Sequence, residues 1–166
     1  MTYIDDYAFR NCKGLQKINL PNNIRRIGNY AFFNCQQLEN ITFPDSLRSI
    51  GDYALHSCLQ LKSIKFPDKL ETLGENVLQN CQGITEVELG KGLKSTGIYT
   101  FFGCTNISEI VIPDNITHIA DFTFSYCSNL KSLTIGRNVK TIGAYIMQNC
   151  SSMETVYMMC ETPPTV

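Results

Sequence analysis

Eight cysteines stand in this chain of 166 residues, and seven of them, Cys12, Cys35, Cys58, Cys81, Cys104, Cys127 and Cys150, follow one another at a constant step of 23 residues. Only Cys160 falls outside the series. Such a column could supply a nucleophile, ligate a metal, close disulfides or fill a dry core, and each use demands different neighbours. A catalytic thiolate needs a base close by and an electropositive setting. The chain has two histidines, His56 and His118; His56 lies two residues before Cys58, and on a helical turn that spacing directs two side chains apart. Zinc is held by cysteines clustered as C-x-x-C pairs or joined by histidine, whereas no two cysteines here are closer than ten residues. Equivalent residues of stacked coils lie about 4.8 Å apart and point the same way, which sets their Cβ atoms wider than the ~3.8 Å of a disulfide. A column of seven would also strand one member. Packing remains: cysteine is small, behaves as an apolar residue and is among the most buried types. The column is therefore expected to be buried and inert, each thiol a weak donor to a carbonyl at the end of a turn. Cys160 is expected to be the accessible thiol, with its free or paired state open.

Other columns keep the same step and show what positions the cysteines. Leu15, Leu38, Leu61, Ile84, Ile107, Leu130 and Met153 form one, Ile18, Ile41, Ile64, Val87, Ile110, Leu133 and Val156 a second, and Ile4, Ile27, Ile50, Leu73, Thr96, Ile119 and Ile142 a third. Apolar columns at a fixed step mean one coil per repeat, each stacking its inward residues on the next: a solenoid. Inside a coil, Ile41 and Phe43 alternate as in a half-buried strand and Pro44 ends the ladder. Proline or glycine followed by Asn or Asp then corners the chain, and Leu47 and Ile50 mark a second brief extended piece. Ala31, Phe32 and Cys35 share one face at helical spacing, which predicts a helical turn, with the Asp6, Asn29, Asp52 and Asp121 column as its cap. Asn11, Asn34, Asn80, Gly103 and Asn149, directly before the cysteines, tolerate the left-handed conformation that ends such a turn.

The run CQQLENITFPDSLRSIGDYAL, Cys35 to Leu55, closely resembles the BspA-like leucine-rich repeats of bacterial surface proteins and some protists. The pattern C-x-x-L-x-x-I-x-F/L-P, then I-x-x-I-G, then A-F-x-x-C recurs in register along the whole chain, with Thr96, Thr100, Thr123, Ile146 and Met147 as departures expected to weaken packing locally. The resemblance implies an α/β repeat solenoid, a right-handed leucine-rich-repeat superhelix of mostly short strands with one helical turn per coil. Residues 1–166 then form a single domain of about seven repeats, with 160–166 a terminal Pro-containing tail. It further implies a protein-binding or adhesion module, extracellular or at the cell surface, meeting a host extracellular or neighbouring-cell protein, and it carries over no catalytic residue, metal or cofactor.

Fourteen Lys+Arg against fifteen Asp+Glu leave a net charge of -1, so no global field draws the chain to nucleic acid or an anionic membrane. No apolar run of about 18 residues is present to insert in a membrane. The opening MTYIDDYAFR lacks the regions of a signal peptide, and its start inside a repeat reads as part of a longer chain.

If the columns are core, function lies between them. Glu86, Glu88 and Glu109 are expected on adjacent coils of one sheet face as an acidic patch for a basic partner segment. Phe33, Phe102, Tyr126 and Tyr157 lie outside the inward columns, and Phe33, Phe102 and Tyr157 join the patch as candidate partner contacts, with Phe33 and Phe102 acting singly. Tyr7, Tyr30, Tyr53, Tyr99, Phe122 and Tyr145 form an aromatic column expected to pack as a ladder at the rim. Arg10, Lys13, Lys17, Arg25 and Arg26 make the first coil basic, and Arg48, Lys94, His118 and Lys140 continue a broken stripe that suits a polyanion. Two readings stay open: a non-catalytic recognition module presenting variable side chains to a protein or a glycan, and a structural spacer that self-associates through the solenoid ends.

Overall fold

A computed structural model describes residues 2–165. Met1 and the last tail residue, Val166, lie outside them. Each coil contributes one short strand to the first of two sides, and every coil contributes one to the second except that of Ser95 and Thr96, where a single parallel bridge joins Ser95 to His118. On the first side are β2 (Lys17–Ile18), β4 (Asn40–Ile41), β6 (Ser63–Lys65), β8 (Glu86–Glu88), β9 (Glu109–Ile112), β11 (Ser132–Ile135) and β13 (Thr155–Met158). On the second are β1 (Tyr3–Ile4), β3 (Arg26–Ile27), β5 (Ser49–Ile50), β7 (Thr72–Leu73), β10 (His118–Ile119) and β12 (Thr141–Ile142). All pairs are parallel and their register steps by one period, as in Ile4↔Ile27 and Leu133↔Val156. The first side pairs as β2-β4, β6-β8 and β9-β11-β13, the second as β1-β3-β5-β7 and β10-β12. The result is a parallel β-solenoid of about seven coils.

The apolar columns form its interior. Ile24, Leu38, Leu47 and Leu61 are fully enclosed, and Phe32 and Phe101 stack on Phe9 and Phe124 across coils. Burying a side chain of this kind contributes about 1.5–3 kcal/mol, and stacking neighbours is the way a coil this thin gets both faces covered.

No helix occurs among the described residues, which corrects the α/β assignment and the expected helical turn. The third side of each coil is instead two successive tight turns: Phe33 N–H donates to Tyr30 O at 3.1 Å and Cys35 N–H to Phe32 O at 3.2 Å, both three residues back. Tyr30 and Asn34 both have left-handed φ, 55° and 60°, and this recurs in every coil. A left-handed residue every four positions stops an α-helix from propagating, although apolar residues three and four apart still meet on one side. The remaining N–H groups bond the next coil, as Phe32 N–H does to Ala54 O at 2.7 Å.

The Asp/Asn column does not cap its own turn. Asp6, Asn29 and Asp52 accept, through Oδ1, the N–H groups of Asn29, Asp52 and Glu75 in the following coil at 2.8–2.9 Å, and Asp121 does the same for Ala144. These side chains tie coil to coil.

The thiols behave likewise. Cys35, Cys58, Cys81, Cys104, Cys127 and Cys150 each direct Sγ to the carbonyl 26 residues earlier, at 3.0–3.4 Å. All eight cysteines are free, but Cys12 is exposed whereas Cys160 is partly covered, so the more open thiol is the first of the column. The departures Thr96, Thr100 and Thr123 are all buried. Their hydroxyls find partners inside, Thr100 on Gly97 O at 2.7 Å and Thr123 on Ala120 O at 2.6 Å. The tail turns back across the last coil, where Thr165 N–H donates to Lys140 O at 3.0 Å and Thr165 O accepts from Ile142 N–H.

Candidate functional surfaces

Two solvent-facing surfaces carry side chains that the core does not use. The first is the outer face of the first-side strands. β8 and β9 turn Glu86, Glu88 and Glu109 outward because Val87 and Ile110 between them face in, as a period of two requires. Glu86 and Glu109 are the same position on successive coils. Glu88 is less available, since its Oε1 lies 2.8 Å from Lys65 Nζ, and this hydrogen bond to the carboxylate holds the Lys65 ammonium's pKa above its usual value. Both groups are exposed, so the pair adds little stability. Beyond the acids the face becomes apolar: Val111 is 59 % exposed and Tyr157 54 % exposed, in line with Thr134 on β11.

The second surface is the turn side. Tyr7, Tyr30 and Tyr53 stack with ring centroids 5.3 and 4.8 Å apart, and Tyr99, Phe122 and Tyr145 with centroids 4.8 and 5.2 Å apart. The expected rim ladder is present, in two pieces. Phe33 and Phe102 belong to it and do not stand singly: Phe33 stacks on His56 at 4.8 Å, and Phe102 meets Tyr126 at 5.0 Å. Both are half-buried. The six candidate contact residues thus divide, with Glu86, Glu88, Glu109 and Tyr157 on the strand face and Phe33 and Phe102 on the turn side.

Three arginines of the basic stripe are committed to local partners. Arg10 lies over the Tyr7, Tyr30 and Phe33 rings, Arg26 pairs with Asp6 at 3.0 Å, and Arg48 caps the carbonyls of Asp45, Ser46 and Leu47. His56 Nδ1 is 2.9 Å from Ser57 Oγ, while Cys58 Sγ faces Phe32 O. Burial lowers the His56 pKa and pushes the Cys35 and Cys127 thiols up to about 12. Among the described residues no group of three or more His, Cys, Asp or Glu could hold a metal ion, and no helix is long and apolar enough to cross a membrane. Sequence reasoning missed the rim's left-handed aromatic positions, because tyrosine in that conformation is uncommon and only the repeated column could have signalled it.

The profile of the BspA type Leucine rich repeat region matches the chain in 6 copies, over residues 2–105 and 48–162. Among solved structures, a T. pallidum Leucine Rich Repeat protein is 29 % identical with a TM-score of 0.84, over 92 % of this chain and 71 % of that one. A leucine rich cell surface protein from Faecalibacterium prausnitzii A2-165 is 25 % identical with a TM-score of 0.72, over 95 % of this chain but 51 % of its own length. A leucine-rich repeat protein from Bacteroides ovatus, 22 % identical with a TM-score of 0.58 over 96 % of this chain and 59 % of that one, shares the fold. No curated protein matches the chain. With the profile spanning nearly every coil, the chain belongs to the BspA-type leucine-rich repeat family.

Proposed function

We propose that this chain is a non-catalytic recognition module at a cell surface, which binds a protein partner on the outer face of its first-side strands. One observation carries this reading: on those strands the inward positions hold Ile, Val or Leu, with Met158 at the end of β13 the one exception, while the outward ones run through Lys17, Asn40, Ser63, Glu86, Glu109, Ser132 and Thr155. On this face two carboxylates of successive coils stand next to an exposed valine, and a tyrosine follows two coils further on in the valine's column. Glu86 and Glu109 supply charge for a basic partner segment, and Val111, Thr134 and Tyr157 supply the desolvated anchor that interfaces concentrate near their centre. The surface location is supported by the family and by the F. prausnitzii relative, which is described as a cell surface protein.

Immobilised chain is screened against purified extracellular proteins, in parallel with a Glu86→Lys/Glu109→Lys variant and a Tyr157→Ala variant. Binding that weakens in both supports the strand face. Binding equal to the parent's in both removes this face from consideration.

A further inference from the structure

The aromatic rim has a gap one ring deep. Tyr53 ends the first ladder and Tyr99 begins the second, and the coil between them carries Asn76 in their column. The neighbouring column loses its ring at the same coil, passing from His56 through Gln79 to Phe102. Tyr53 with His56 therefore forms one wall, a tilted pair of rings, and Tyr99 with Phe102 the other, an edge-on pair. Two coil steps separate Tyr53 from Tyr99, about 10 Å at strand spacing, which is the room a single intervening flat group occupies in the ladders.

The coil beneath is undistorted. Asn76 has φ 57°, against 55° at Tyr53 and 56° at Tyr99, and its N–H still donates to Ile98 O at 2.8 Å. Only the rings are missing. Asn76 is 5 % exposed and its carboxamide forms no side-chain hydrogen bond among the described residues, yet no fully enclosed side-chain nitrogen or oxygen is left without a partner. Its polar atoms therefore meet solvent at the floor of the gap, where a carbonyl oxygen waits for a donor.

The rim already shows what fills such a place. Arg10 occupies the column of Phe33 and His56, and its Cζ lies 5.6, 5.7 and 5.4 Å from the ring centroids of Tyr7, Tyr30 and Phe33. A guanidinium can stand where a ring would, because it is planar and attracted to ring faces. The gap's surroundings favour a cation: Asp52 and Glu75, both exposed, lie one residue before Tyr53 and Asn76, and Asp52 Oδ1 accepts the Glu75 N–H at 2.9 Å. No Lys or Arg occurs in the stretches 51–58, 71–81 or 97–104 that build the gap. A compact ammonium would satisfy the carboxylates and leave the two ring walls unfilled, and a neutral ring would leave the carboxylates and the Asn76 oxygen unanswered.

We propose that this gap is the docking point for an arginine side chain of a protein partner, with the guanidinium held between the Tyr53 and Tyr99 rings, bonded to the Asn76 carboxamide and balanced by Asp52 and Glu75. This surface is separate from the strand face, and its occupant does not depend on that assignment.

The probes are N-acetyl-arginine amide, its neutral isostere N-acetyl-citrulline amide and N-acetyl-lysine amide, titrated into isotope-labelled chain with amide NMR as the readout. Saturable shifts at Asn76, Gln79 and Tyr99 are expected with the arginine probe, with about tenfold weaker response to citrulline and to lysine. Asn76→Tyr fills the gap with the residue that neighbouring coils carry at the same φ, so it is expected to abolish the shifts while leaving the melting temperature no lower. Asp52→Asn/Glu75→Gln keeps the gap open and is expected to weaken the arginine probe and remove its salt dependence. Equal response to citrulline, shifts that survive Asn76→Tyr, or no saturable shift with the arginine probe up to its solubility limit would each overturn the assignment.

Discussion

The hydroxyls of Thr96 and Thr123 meet 3.0 Å apart inside the solenoid, on neighbouring coils. The proton bookkeeping is complete: Thr123 donates to Ala120 O, Thr96 donates to Thr123 Oγ1, and Thr96 Oγ1 accepts the Ala120 N–H at 2.9 Å. In the next coil the corresponding N–H, that of Gly143, reaches a backbone carbonyl, Ile119 O, at 2.7 Å. Thr123→Val is expected to strand the Thr96 proton and cost about 1–3 kcal/mol. Pairing Thr96→Ile with Thr123→Ala, the types other coils carry, should lose less than that single change. Urea unfolding with an unchanged slope reads both, and a larger loss in the pair would show that the hydroxyls are not coupled.

Alkylation should separate the thiols. Cys12 is exposed and Cys160 partly so, whereas Cys35 and Cys127 are enclosed and pushed up to about 12 by burial. Since the thiolate is the reactive form, iodoacetamide at pH 8 is expected to modify Cys12 first, Cys160 more slowly, and Cys58, Cys81 and Cys104 only on unfolding. Peptide mass spectrometry identifies the sites, and early modification of Cys81 would contradict the packed column.

His56 should make stability fall in mild acid. Its folded pKa is lowered by burial beside Phe33, so the unfolded chain takes up the proton first. The contribution is fully present above about pH 6.5, the unfolded value, and is lost as pH drops through the lowered folded pKa. Melting temperatures between pH 7.5 and 5, compared with His56→Gln, isolate this part; identical pH profiles would rule it out.

Gly97 and Gly14 should respond unequally to the same change. A Cβ at Gly97 would run into the Gly74 carbonyl oxygen of the preceding coil, while one at Gly14 would meet nothing within 4 Å. Gly97→Ala is expected to cost about 2 kcal/mol or more because backbone must shift, and Gly14→Ala to stay within about 0.5 kcal/mol of the parent. Thermal unfolding of the two variants checks the contrast.

The core was readable in the sequence because it is periodic. Ile27, Leu38, Ile41 and Cys35 each sit in a column, and a column that keeps an aliphatic residue or a cysteine across coils faces inward. The turn side was misread because Ala31, Phe32 and Cys35 have the spacing of a helix face, and two tight turns meet the same spacing with left-handed breaks at Tyr30 and Asn34. The Asp column was placed correctly and given the wrong partner, since local capping and bonding to the next coil need the same oxygen at the same position. Phe33 was read as solitary because His56 and Arg10, its neighbours across coils, are not aromatic hydrocarbons and so did not register as members of its column. The gap at Asn76 was visible as a missing tyrosine, but its depth and its carboxylate edge appear only when coils are stacked.

Each bond that joins two coils links residues about one period apart, from the strand register to the thiol ladder. An in-frame loss of one 23-residue period, such as 59–81, would therefore rejoin partners of the same chemical kind on both sides of the cut. A gene of this design can change the length of its product by unequal crossing-over without renegotiating the interior, and the deletion of 59–81 would erase Asn76 and fuse the two tyrosine stacks into one.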